Sequence, residues 1–145
     1  MISMKIECMN EKVIVYLYKY RLSFDDTDKL NQEIKNIFIR LIKKYHFNFF
    51  GYSIVNVYEN KKYGCVLEIE QIYNNGFNIE IIDLKLIVHR NCNFYLEFND
   101  YFFFLPHDLL IKNNKYYMNI NNIDNLLKYS EFGKLIYNEK EVLNL

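Results

Sequence analysis

One long stripe of apolar residues in this chain repeats at helical spacing with unusual clarity, while most of the other apolar runs alternate. Leu30, Ile34, Ile37, Phe38, Leu41, Ile42 and Tyr45 fall at steps of three and four, with Glu33, Lys35, Asn36, Arg40, Lys43 and Lys44 elsewhere on the wheel. Asp25, Asp26 and Asp28 stand where an N-cap and a favourable charge for the helix dipole are wanted, and the last turn is basic. A hard cation would also suit three carboxylates, but capping uses all of them.

Strand patterns surround this helix. Residues 5–20 read as a hairpin turning at Asn10-Glu11, with Val13–Tyr18 β-branched and aromatic. Tyr52–Glu59 and Tyr63–Tyr73 make a second hairpin around Asn60-Lys61-Lys62, with Cys65, Leu67 and Ile69 on one face. A third is expected from Ile79–Arg90 and Phe94–Phe103, turning at Asn91-Cys92-Asn93; Phe94, Leu96 and Phe98 would meet Ile82, Leu84, Leu86 and Val88 across the ladder. Pro106 ends that region, Asn113-Asn114 leads into a strand at Lys115–Ile120, and Ile123, Leu126, Leu127, Phe132 and Ile136 predict a C-terminal helix. Gly133 inside that helix marks a break or a close packing contact. The fold class is therefore α+β: an antiparallel sheet of hairpins, a long amphipathic helix after the first hairpin and a second helix at the end. One domain over residues 1–145 is expected, with 74–77 as the candidate division between two lobes.

Composition narrows function mostly by exclusion. The chain has no alanine and no tryptophan, yet 18% of it is aromatic. Both facts follow from AT-rich codons, so the aromatic content is not in itself a functional sign. With 18 basic and 18 acidic residues there is no global field to gather phosphates, which argues against nucleic acid. A neutral protein has weak colloidal protection, so self-association is one expectation. The longest apolar runs are too short for a membrane span, and the first residues carry no apolar signal-peptide core. Cys8, Cys65 and Cys92 are odd in number and widely spaced, as for reduced thiols in a cytoplasm.

No phosphate loop, nucleophile elbow or zinc-protease motif occurs. His89-x-x-Cys92 is the one metal-like spacing, and a structural zinc site wants four ligands. A small zinc or thiol-dependent enzyme using His89, Cys92 and Cys65 therefore stands as the alternative reading, against a buried cysteine acting as a small hydrophobe. Glu68 and Glu70 alternate as any solvent-facing strand pair would. The run Tyr101, Phe102, Phe103 and Phe104 is different. Strand side chains alternate, so these four cannot all reach one core, and one face should meet a partner. Codon bias, placing Phe where Leu would serve, is the competing explanation.

Two stretches resemble MecA-type adaptor proteins. Met4-Lys5-Ile6-Glu7, Asn10-Glu11, Val13 and Tyr16 are similar to that family's opening, continued by Gly51, Val57, Gly64 and Leu67-Glu68-Ile69-Glu70. Lys115-Tyr116-Tyr117-Met118 and Ser130-Glu131-Phe132-Gly133-Lys134-Leu135-Ile136 are similar to its closing segment. The family's acidic linker is not visible, and Ile79–Phe103 have no counterpart. The resemblance implies a non-enzymatic, cofactor-free adaptor delivering proteins to a Clp-type AAA+ unfoldase. The expectation is thus a cytoplasmic protein-interaction or regulatory domain. Its expected partner-binding residues are Tyr101, Phe102, Phe103, Phe104, Glu131, Phe132 and Lys134, with structural self-assembly as a further alternative.

Overall fold

Asp26 starts the long helix with its side chain. In the computed structural model Asp26 Oδ1 accepts from the Lys29 N–H at 3.1 Å, and helix α1 runs Thr27–Tyr45. His46 closes it in the left-handed region, φ 61°, with its N–H donating to the Ile42 carbonyl at 3.1 Å. The structure describes residues 3–9, 11–48, 51–73, 82–100, 109–120, 129–130, 132–138 and 140. These form two compact units, 1–57 with 65–89, and 58–64 with 90–145.

The first unit carries a five-stranded sheet in the order β1-β2-β4-β3-β5. Its strands are β1 (Ser3–Met9), β2 (Lys12–Tyr18), β3 (Gly51–Asn60), β4 (Gly64–Tyr73) and β5 (Ile82–His89). β1 and β2 are antiparallel, with Met4 opposite Leu17 and Ile6 opposite Val15, so one face is apolar throughout. That face packs on α1. Val15, Leu17, Leu30, Ile34, Ile37, Phe38, Leu41, Val55, Val57, Cys65, Leu67 and Ile69 are all buried in one cluster. The helix stripe from Leu30 to Leu41 and the second hairpin's apolar face are therefore as their spacing requires, Ile42 is partly buried, and Tyr45 at the helix end is exposed. Ser53 lies in the same strand as Val55 and Val57, fully buried, and its hydroxyl has no hydrogen-bond partner among the described residues.

The second unit holds a four-stranded sheet, β7-β8-β6-β9, from β6 (Tyr95–Phe98), β7 (Leu110–Lys112), β8 (Lys115–Asn119) and β9 (Lys134–Ile136). β7 and β8 join through Asn113 and Asn114, at φ 50° and 61°. Two consecutive left-handed residues are what a two-residue hairpin turn demands, and asparagine tolerates them. β6 pairs antiparallel with β8 and with β9. Both faces of this sheet have buried residues: Leu96, Phe98 and Met118 on one, Tyr117 and Ile136 on the other.

Two expectations are corrected. β5 and β6 belong to different sheets, so the third hairpin does not form and Phe94, Leu96 and Phe98 do not pair with β5. The cause is local. The Cys92 N–H donates to the Glu59 carbonyl at 2.8 Å, and the Asn91 N–H to the Glu59 carboxylate at 3.3 Å. The backbone polar groups of this loop are satisfied by the β3–β4 tip, so a strand ladder is not needed to satisfy them. The end of the expected C-terminal helix is also not helical. Lys134–Ile136 is strand β9, with Lys134 opposite Glu97 and Leu135 opposite Leu96. A ready strand edge on β6 outweighs the weak helical spacing of Phe132 and Ile136. The earlier part of that expectation, 121–128, lies outside the described residues, as does the candidate division at 74–77.

Candidate functional site

The expected partner-binding residues fall into two groups. Tyr101, Phe102, Phe103, Phe104 and Glu131 lie outside the described residues. Phe132 and Lys134 are in the second unit, beside and within β9. The Phe132 N–H donates to the Tyr129 carbonyl at 3.0 Å, which fixes a turn entering β9, and its ring is 49% exposed. Lys134 is exposed, and its register opposite Glu97 makes an opposite-charge cross-strand neighbour. Glu97 also accepts from Lys115 Nζ at 3.4 Å. β9 is an outer strand of its sheet among the described residues.

Gly133 links these residues to the core. A β-carbon there would stand 2.8 Å from Phe98 Cε1 and 3.2 Å from the Glu97 carbonyl oxygen. The chain can turn from Phe132 into β9 this close to β6 only because residue 133 has no side chain.

The tip of the β3–β4 hairpin builds a polar constellation in this unit. Asn60, 7% exposed, accepts through Oδ1 from the Lys62 and Tyr63 N–H groups at 2.9 and 2.8 Å, and donates through Nδ2 to the Cys92 carbonyl at 2.9 Å. Glu59 takes Arg90 Nε at 3.3 Å with a side chain 10% exposed against 46% for the arginine. Asn60, Asn91, Cys92 and Asn119 line a recess of about 260 Å³ together with Lys61 and Lys62. Its chemistry is amide and ammonium, suited to hydrogen bonding and to attracting negative charge.

The residues of the alternative reading are divided between the two units. His89 ends β5 in the first unit, where its Nε2 lies 3.0 Å from Asn56 Oδ1. Cys92 is half-buried in the recess wall of the second unit. Cys65 is buried in the first unit's core, with Sγ 3.5 Å from the Tyr20 carbonyl. Among the described residues no group of three or more His, Cys, Asp or Glu could hold a metal ion. None of the three cysteines forms a disulfide. Glu68 pairs with Lys12 at 3.1 Å, and Asp26 is the helix cap.

Burial, and then the Glu33 carboxylate, raise the Tyr20 phenol above its ordinary value of 10.0. Glu33 itself accepts from the Ser23 N–H at 3.0 Å, which holds the segment between β2 and α1 to the helix. No helix among the described residues is long and apolar enough to cross a membrane.

The residues missed by sequence reasoning are Glu59 and Asn60. Asparagine in the turn was legible, but its grip on residue 92 was not. No protein-family model, no curated protein and no solved structure matches this chain.

Proposed function

We propose that this chain is a cofactor-free, cytoplasmic protein-interaction domain of the adaptor or regulatory kind. The observation that carries the reading is Phe132, an aromatic side chain 49% exposed at the entrance to an outer strand. Aromatic residues supply much of the energy at protein interfaces, and an outer strand accepts an extended segment through its backbone. Phe132 with β9 therefore suits a partner that adds a strand and packs an apolar side chain against the ring. The partner class implied by the terminal resemblance is a Clp-type AAA+ unfoldase or a protein delivered to it.

In-cell crosslinking with partner identification tests this, comparing the parent chain with Phe132→Ser. The expected result is loss of a specific crosslinked partner while the folded protein persists at its usual level. An identical set of partners in both would overturn the reading.

A further inference from the structure

The β5 strand alternates half-buried apolar residues with exposed charged ones from Ile82 to Leu86. Ile82, Leu84 and Leu86 are half-buried and pack on the first unit's core, while Asp83 and Lys85 are exposed on the opposite face. No hydrogen bond or ion pair engages the Asp83 or Lys85 side chain among the described residues, and β5 is an outer strand there. Beside it α1 leaves an open, mostly polar groove of about 410 Å³, lined by Asp28, Asn31, Gln32, Lys35, Asp83 and Leu84. Ile82, Leu84 and Leu86 carry the apolar core to this edge.

We infer that β5 pairs with β5 of a second copy of this chain, antiparallel, with Leu84 opposite Leu84 at a twofold axis. The register follows from symmetry and charge. A twofold axis normal to the sheet brings one residue opposite its own copy and keeps both helix-bearing faces on the same side. With Leu84 at the axis, Asp83 faces Lys85 in both halves and Ile82 faces Leu86 in both halves. Moving the axis one residue either way sets Asp83 against Asp83, or Lys85 against Lys85. Like charges directly opposite are unfavourable, and opposite charges favourable. The strand is therefore complementary to itself in this register, with charged pairs on the exposed face and leucine and isoleucine closing the core on the other.

The ladder is short, so the association is weak and concentration-dependent. It lies on β5 of the first unit and stands or falls separately from any partner at Phe132.

Sedimentation equilibrium on the full chain tests it with three variants. Asp83→Lys and Lys85→Asp each set like charges opposite and should weaken self-association by about tenfold or more. An equimolar mixture of these two variants restores both opposite-charge pairs and should associate about as the parent does. So should the double variant D83K/K85D. Both positions are exposed, so the substitutions leave the core intact. A parent chain that stays monomeric up to about 1 mM, single variants that associate like the parent, or a mixture no stronger than its components would each overturn the inference.

Discussion

The ring of Phe98 occupies the space that a β-carbon at residue 133 would need, 2.8 Å from the ring carbon Cε1. Phe98 is fully buried, so its ring has nowhere to swing. Gly133→Ala should destabilise the protein by about 1–3 kcal/mol, the usual cost of overpacking. Urea denaturation measures it. Adding Phe98→Leu should recover part of the loss, because the two changes act on one contact. Additive losses would separate the two sites.

The Asn60 side chain holds its own turn and the loop at Cys92 with three hydrogen bonds of 2.8–2.9 Å. Asn60→Ala should cost about 2–4 kcal/mol, since buried donors and acceptors are left unmade. It should also loosen the loop, so that the Cys92 thiol reacts faster with a thiol reagent than in the parent. Cys8 is exposed already, so a Cys8→Ser background makes the Cys92 rate readable.

The Ser53 hydroxyl is buried beside Val55 and Val57 with no partner among the described residues. A buried polar group left unpaired costs stability. Ser53→Ala should therefore be neutral or raise stability by up to about 1 kcal/mol, where most core changes lower it. Thermal unfolding of the variant checks this directly.

Because the Tyr20 phenol is raised in the folded protein, the fold keeps a proton there that the unfolded chain gives up near its ordinary 10.0. The stability this group contributes is complete below the unfolded value and is lost as pH rises through the folded one. Tyr20→Phe should lose less stability than the parent between about pH 9 and about pH 11. The urea midpoint at each pH measures the difference, and equal losses would remove Tyr20 as the cause.

Elements specified by their own neighbours were legible in the chain. The α1 stripe, its Asp26 cap and the first two hairpins follow from local spacing, and the structure contains each. What escaped depended on partners far away in sequence. β9 is too short to leave a signal and exists because Glu97 and Leu96 offer it an edge. The loop at Asn91-Cys92-Asn93 looked like a hairpin turn, but Glu59 and Asn60 captured it first. Gly133 was legible as an oddity, and only Phe98 explains it. Of the expected partner-binding residues, Phe132 is legible as an exposed aromatic, while the run from Tyr101 to Phe104 lies outside the described residues.

The second unit takes Tyr58–Gly64 from the end of a hairpin whose remainder belongs to the first. Neither unit is an unbroken stretch of the gene. A recombinant fragment starting at Arg90 would lack the buried side chains of Tyr58 and Tyr63 that pack on Tyr137 and Phe94 at ring separations of 5.0 and 5.5 Å. The second half cannot be cloned, swapped or inherited as a module by cutting once, so shuffling it would have to move the hairpin tip as well or carry the whole chain.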